Sequence, residues 1–79
     1  MHYLVTGHTG FKGAWLTALL IARGHSVSGI SLNPEPGSIF EKSHLLDFLS
    51  HDFRMDIRNA GEMENAFKDI EPDVVIHMA

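Results

Sequence analysis

The stretch at residues 6–13, Thr-Gly-His-Thr-Gly-Phe-Lys-Gly, constrains the fold most, because glycine recurs there at every third position. Residues 3–6, just before it, are apolar and β-prone and predict a buried strand. A helix is predicted to begin at Phe11 and to end at Gly24. The stripe of that helix that we expect to face the core consists of Phe11, Ala14, Trp15, Ala18, Leu19 and Ala22.

Three further segments are predicted to be strands: residues 26–32, 51–55 and 74–79. Two prolines and a glycine favour a loop over residues 33–43, and residues 44–49 can form one or two helical turns. A second amphipathic helix precedes the last strand. Asn59 and Glu62 resemble its capping box, Pro72 ends it, and its apolar stripe comprises Met63, Ala66, Phe67 and Ile70.

The predicted order of elements is β-α-β-(short α)-β-α-β, and the strands are apolar without interruption. This pattern indicates a parallel sheet that is covered on both faces. We therefore predict an α/β fold of three layers, the N-terminal half of a Rossmann-type doubly wound sheet with strand order 3-2-1-4. The last strand has neither a covering helix nor a further strand beside it, so we expect a segment of a longer protein.

The glycine segment predicts an anion site, since backbone N–H groups and the helix dipole meet between a strand and a helix. Gly7 allows the tight turn, Gly10 lets the backbone approach a phosphate, and Gly13 lets helix and sheet pack closely. Lys12 opposes the dipole in the first helical turn, which favours an anion nearby. The pyrophosphate of a dinucleotide fits this pattern. His8, in the same segment, either bonds phosphate or faces solvent.

The choice between NAD and NADP depends on the end of the second strand, where an acid usually binds the adenosine ribose. Ser31 stands there instead, and the nearest acid, Glu35, lies beyond a proline. Ser31 does not repel a 2′-phosphate, but no Arg or Lys lies between Arg23 and Lys42 to bind one. The pattern favours NAD and leaves NADP open.

Composition excludes several other classes. A formal charge of −4, with six scattered bases, argues against binding to nucleic acid or to a membrane surface. The chain has no cysteine, and its six histidines lack metal-ligand spacing, so we expect no metal site. It has neither a signal peptide nor a membrane-length apolar run, and we expect a cytoplasmic protein.

Residues 6–16 resemble the glycine loop of the extended short-chain dehydrogenase/reductase family, the NAD-dependent epimerases and dehydratases. The version Gly-His-Thr-Gly-Phe-Lys-Gly-x-Trp-Leu is most similar to the nucleotide-sugar 4,6-dehydratase branch. The resemblance continues through residues 38–41 and 56–58 to residues 72–79, and thus spans the chain.

The resemblance implies a role for each matching position. The pyrophosphate would be surrounded by Gly7, Thr9, Gly10, Phe11, Lys12 and Gly13. Asp56 and Ile57 would contact the adenine, and Met78 and Ala79 the inner ribose. Ser31 would lie beside the adenosine ribose, where related epimerases carry an acid. Independently, a carboxylate at a strand end, such as Asp56, can accept a hydrogen bond from the adenine amino group.

Family members of this kind oxidise the sugar at C4, eliminate water across C5 and C6, and return the hydride to C6, using a Tyr-x-x-x-Lys pair. The only tyrosine here is Tyr3, and Gly7 stands four positions later, so we predict no catalytic residue. Residues 1–79 are expected to form a partial NAD(P)-binding domain that is inactive alone, without the catalytic and sugar-nucleotide domain. The resemblance also implies a sugar-nucleotide substrate and a dimer.

Three alternatives remain open. The chain could come from another sugar-nucleotide epimerase or dehydratase of the same family. It could be a stand-alone dinucleotide-binding module, which a covered fourth-strand edge would favour. It could also be a structural remnant that self-associates through the exposed fourth strand.

Overall fold

A computed structural model describes residues 1–78, and Ala79 lies outside the described residues. The strands are β1 (His2–Thr6), β2 (Ser26–Ser31), β3 (His51–Arg54) and β4 (Val74–His77); the helices are α1 (Phe11–Ala22), α2 (Ile39–Lys42) and α3 (Ala60–Ile70), with a 3-10 turn at Leu45–Phe48. All strand pairs are parallel, in the order β3-β2-β1-β4. The predicted α/β fold and strand order are confirmed.

Two apolar clusters lie on opposite faces of the sheet. On one face, Leu4 and Ile30 are fully buried against Ala66 and Ile70 of α3. On the other, α1 packs on α2 and the 3-10 turn, and the cluster comprises Ala14, Phe40 and Leu45. Helices therefore cover both faces, as the uninterrupted apolar strands predicted.

The predicted inward face of α1 is wrong in part, because Ala14 is buried and Ala18 packs in the same cluster, but the large side chains of the predicted stripe point outwards. Gly13, Ala14 and Thr17 are the buried residues of this helix, while Phe11 and Trp15 are 67% and 58% exposed. The cause is a close backbone approach, since a Cβ on Gly13 would overlap the Gly7 carbonyl group. Only the smallest residues fit against the turn after β1, so the larger apolar side chains point outwards.

Helix α3 forms as predicted. The Asn59 side chain accepts a hydrogen bond from the Glu62 N–H at 3.1 Å and caps the helix. Its predicted stripe packs on the sheet, with Ala66 and Ile70 buried and Met63 and Phe67 beside them. This helix is polar on its other face, so its periodicity defines one orientation.

The predicted loop at 33–43 is wrong in part, because it contains α2. The Ser38 hydroxyl accepts from the Glu41 N–H at 3.4 Å, and the Glu41 carboxylate accepts from the Gly37 N–H at 2.9 Å. Both prolines precede this capped turn and do not prevent it. Burial of Phe40 against α1 then stabilises a helix that is too short to form alone.

His8 lies beneath the glycine loop. Its side chain is fully buried, which overturns both expectations for it, phosphate binding and solvent exposure. Its Nε2 donates to Asp52 Oδ1 at 2.6 Å, and the other oxygen of Asp52 pairs with Arg54 Nη2 at 2.8 Å. Burial lowers the pKa of His8 below its ordinary value of 6.5. The loop is thus tied to β3 through a neutral imidazole.

The edge of the sheet at β4 is open. Within residues 1–78, β4 pairs only with β1, and Val75 is 47% exposed. The covered edge that would favour a stand-alone module is not observed among these residues.

Within residues 1–78, no helix is long and apolar enough to cross a membrane.

Gly29 of β2 provides the space that His8 occupies, since a Cβ there would overlap the imidazole ring. We predict that Gly29→Ala lowers the free energy of unfolding by about 1–3 kcal/mol through overpacking. In a His8→Ala background the added methyl enters vacated space, so the cost of Gly29→Ala falls to about 0.5 kcal/mol or less. Urea unfolding of the four chains measures the difference. An equal cost in both backgrounds would contradict this packing.

Candidate functional site

A groove of about 600 Å³ lies at the carboxyl ends of the strands, between the glycine loop and the segments after β2 and β3. This is the edge of a parallel sheet where ligands bind in doubly wound folds. The predicted site residues that line it are Gly7, Thr9, Gly10, Phe11, Ser31, Asp56, Ile57 and Met78. Lys12 and Gly13 lie in α1 beside the groove without lining it, and Ala79 lies outside the described residues.

Backbone geometry holds the glycine loop at the mouth of the groove. Gly7 has φ +79°, a left-handed conformation that glycine adopts without steric cost. The Gly7 N–H donates to the Ile30 carbonyl at 2.8 Å, and the Gly10 N–H donates to the Gly7 carbonyl at 3.2 Å. The turn is therefore fixed to β2, and α1 begins directly after it.

The N-terminus of α1 is open, unlike those of the other two helices. Ser38 caps α2 and Asn59 caps α3 with side-chain hydrogen bonds, and each helix has a glutamate in its first turn. Helix α1 has neither a side-chain cap nor an acid there. Among the described residues, no acceptor meets the backbone N–H groups of Phe11, Lys12 and Gly13. These groups and the helix dipole create a site for an anion.

The hydroxyl of Thr9 connects the glycine loop to the end of β2. Its Oγ1 lies 2.7 Å from Ser31 Oγ and donates to the Leu32 carbonyl at 3.0 Å. Thr9 is buried, whereas Ser31 is half-buried and lines the groove. The glycine loop is thus fixed to the end of β2 at Ser31, the position where related epimerases carry an acidic residue.

Asp56 follows β3 and lines the groove with its neighbour Ile57. Arg58 Nη2 donates to Asp56 Oδ2 at 2.6 Å, and the Arg58 backbone N–H donates to Oδ1 at 2.9 Å. These hydrogen bonds lower the pKa of Asp56 from 3.8 to about 2. The carboxylate stays ionised at neutral pH and can accept a hydrogen bond from a ligand.

Sequence reasoning missed part of the groove, namely Leu32, Asn33, Pro34, Glu35, Ser38, Ile39 and Met55. Most of them belong to the segment between β2 and α2, which was predicted to be a plain loop. Ser38 followed three residues later by Glu41, the spacing of a capping box, was the available signal for a capped turn. That turn brings the segment back over the groove.

The effect of Arg58 on the pKa of Asp56 can be tested directly. We expect Arg58→Ala to raise the pKa of Asp56 from about 2 towards 3.8. Because folding lowers this pKa, the stabilisation that the pair gives is complete above pH 3.8 and is lost as pH falls towards 2. Carboxyl-carbon NMR titration measures the pKa. The matched control is Lys68→Ala, which removes a cation 4.0 Å from Glu64 on α3. An unchanged Asp56 titration in the Arg58 variant would contradict the assignment.

Comparisons with known proteins agree with this geometry. CDP-glucose 4,6-dehydratase of Salmonella typhimurium is 41% identical over 76 residues, which are 95% of this chain and 21% of that protein. UDP-glucose 4-epimerase of Bifidobacterium longum, solved with NAD+ and UDP, superposes with a TM-score of 0.82 at 27% identity, covering 100% of this chain and 24% of that one.

UDP-glucose-4-epimerase of Stenotrophomonas maltophila was solved with NAD and formylated UDP-arabinopyranose. It has a TM-score of 0.80 and 25% identity, and the match covers 100% of this chain and 24% of that chain. The present chain therefore spans about a fifth to a quarter of the length of these relatives.

The model of the NAD dependent epimerase/dehydratase family matches residues 3–79, nearly the whole chain. The open helix N-terminus and the groove at the end of a 3-2-1-4 sheet are what a dinucleotide-binding fold requires. The chain therefore belongs to the NAD-dependent epimerase/dehydratase family.

Proposed function

We propose that residues 1–79 are the NAD-binding segment of a nucleotide-sugar 4,6-dehydratase whose substrate is CDP-glucose. The observation that carries the NAD-binding part of this proposal is the uncapped N-terminus of α1, which opens beside the groove, while α2 and α3 are capped by their own side chains. The similar epimerases solved with NAD support the choice of cofactor.

The pyrophosphate would lie against the first turn of α1. The N–H groups of Phe11, Lys12 and Gly13 donate to its oxygens in this arrangement, and the helix dipole stabilises the negative charge. Gly10 has no side chain to keep the phosphate away from the backbone, and it lines the groove. The exposed Lys12 ammonium adds positive charge at the rim.

The two nucleosides would extend from the pyrophosphate in opposite directions. Ser31 would lie beside the adenosine ribose, and Asp56 and Ile57 beside the adenine, since all three line the groove beyond the glycine loop. Met78, next to β4, and Ala79 would contact the inner ribose. These roles are the ones that the resemblance to the family implies, and Ser31 is the position that departs from the family pattern.

Bound NAD supplies the hydride acceptor and donor for the proposed reaction. The present residues bind and orient it: they neutralise the pyrophosphate and fix the adenosine end. We propose that the acid–base pair lies outside these 79 residues, since Tyr3 is the only tyrosine and has no lysine four positions later. The segment alone should therefore bind NAD without turning over a sugar nucleotide.

The dehydratase reaction is supported by the likeness to the Salmonella enzyme, at 41% identity. The UDP-sugar epimerases are the alternative within the family, supported by solved structures at 25–27% identity. We further propose that the open edge of β4 pairs with another strand of a longer polypeptide, which carries the sugar-nucleotide site and the dimer contacts. Relatives four to five times longer are consistent with this role.

The experiment that tests cofactor binding compares two glycine-to-alanine variants by calorimetric titration with NAD. Gly10 has φ −76°, which alanine also adopts, and its Cβ would meet only the Gly7 carbonyl oxygen at 3.5 Å. We expect Gly10→Ala to fold normally and to weaken NAD binding about tenfold or more, equivalent to about 1.4 kcal/mol.

Gly61→Ala in α3 is the matched control, since the same methyl is added at an exposed site away from the groove. This variant should bind NAD like the parent chain. Equal affinity of the Gly10 and Gly61 variants would contradict pyrophosphate binding at the glycine loop. Failure of the parent chain to bind NAD at all would contradict the proposed function itself.

A further inference from the structure

We propose that Asp52 is a positioning residue for the cofactor groove: its carboxylate holds the glycine loop through His8 and the segment after β2 through Arg54, and NAD binding depends on both contacts. Asp52 itself does not line the groove. The inference rests on the proposed function and adds to it a residue that acts through its neighbours.

The first contact holds the glycine loop from below. His8 stands between Gly7 and Thr9, which both line the groove. Its imidazole is fully buried, and Nε2 donates to Asp52 Oδ1 at 2.6 Å. Asp52 pairs with Gly29 in the register of β2 and β3, and this glycine leaves room for the ring. The hydrogen bond to Asp52 thus fixes the orientation of the ring beneath the loop.

The second contact holds the segment after β2, residues 32–39. Arg54 Nε donates to Asp52 Oδ1 at 3.0 Å, and Nη2 pairs with Oδ2 at 2.8 Å, so both carboxylate oxygens bind the guanidinium. In this orientation Arg54 Nη1 donates to Asn33 Oδ1 at 3.3 Å, and Asn33 lines the groove. The carboxylate therefore sets the direction of the guanidinium and, through it, the position of this segment.

The ring of Phe40 lies against both side chains that Asp52 holds. It meets the His8 ring edge-to-face, with 5.3 Å between the centroids, and the Arg54 guanidinium lies over it at 5.3 Å from its centroid. Phe40 is buried, and its neighbour Ile39 lines the groove. The start of α2 thus packs on the same cluster, and one carboxylate orders two sides of the groove.

The charges of this cluster separate a positioning role from an electrostatic one. Burial lowers the pKa of His8, so its imidazole is neutral at neutral pH, and Asp52 and Arg54 together carry no net charge. Asp52→Asn removes a negative charge, which by Coulomb attraction alone would strengthen the binding of an anionic pyrophosphate. The amide has only one oxygen, so its NH2 group faces a donor of His8 or Arg54 and one contact is lost. A less ordered groove binds more weakly, and the two effects therefore have opposite signs.

The test measures the dissociation constant of NAD by calorimetry for the 79-residue chain and two Asp→Asn variants. We expect Asp52→Asn to weaken NAD binding about fivefold or more, because the groove is less preorganised. Asp69→Asn is the matched control, since it removes the same charge from an exposed position on α3 and should leave the affinity unchanged. Unchanged or tighter binding of NAD by Asp52→Asn would overturn the inference.

Two substitutions of His8 test the contact with the glycine loop. His8→Gln keeps an N–H group that can reach the Asp52 carboxylate, whereas His8→Met keeps a side chain of similar length without a donor. We expect His8→Met to weaken NAD binding and His8→Gln to recover most of the affinity. A change of packing alone would affect both variants, so equal affinities of the two would overturn the role of this hydrogen bond.

A third measurement uses the parent chain and does not depend on how any variant folds. If the cluster favours NAD binding, NAD must stabilise the cluster by the same factor. Saturating NAD should therefore slow the solvent exchange of the His8 Nε2–H and Arg54 Nε–H protons, measured by NMR, more than that of the Glu62 N–H at the capped start of α3. Equal slowing at all three would overturn the inference. Binding of NAD without these effects refutes only this inference, whereas no binding of NAD refutes the proposed function as well.

Discussion

The close approach of α1 to the turn after β1 determines most of this structure. The backbone of Gly13 lies against the Gly7 carbonyl, and no side chain fits between them. This contact selects the face of α1 that packs inwards, where Ala14 and Thr17 are buried. It also sets the first turn of the helix at the carboxyl edge of the sheet. The same steric constraint therefore explains both the packing of the helix and the open anion site.

Polar contacts beneath and beside the loop complete the site. His8 holds the loop from below through Asp52 of β3, and Gly29 of β2 leaves room for its ring. Thr9 holds the loop from the side through Ser31. The loop after β1 is thus fixed to β2 and to β3 beside the groove before any ligand binds. Such preorganisation reduces the entropic cost of binding.

How far sequence predicts this structure differs between its two long helices. Helix α3 is apolar on one stripe only, so the positions of Ala66 and Ile70 followed from periodicity. Helix α1 is apolar around most of its circumference, and its pattern fits more than one inward face. The inward face of α1 is determined by the close contact of Gly13 with the turn after β1, which is a tertiary contact. Periodicity alone therefore placed Trp15 wrongly in the core.

In the candidate site, too, a local sequence pattern predicted some residues, while tertiary contacts determine the others. The spacing of the glycines predicted the loop, and eight of the proposed residues do line one groove. The burial of His8 depends on Asp52, 44 positions away, and on a glycine in another strand. The segment after β2 became part of the groove because Phe40 packs on α1. Contacts between distant positions are not encoded in any local pattern.

The most direct test of the central claim is an NMR map of the amide groups that respond to NAD. Two-dimensional proton–nitrogen spectra of the chain, recorded with increasing NAD, report on each backbone N–H separately. The account predicts the largest shifts at Phe11, Lys12 and Gly13, with smaller ones at Ser31 and Asp56 and none at the capped start of α3. Shifts concentrated at α3, or no shift at saturating NAD, would contradict it.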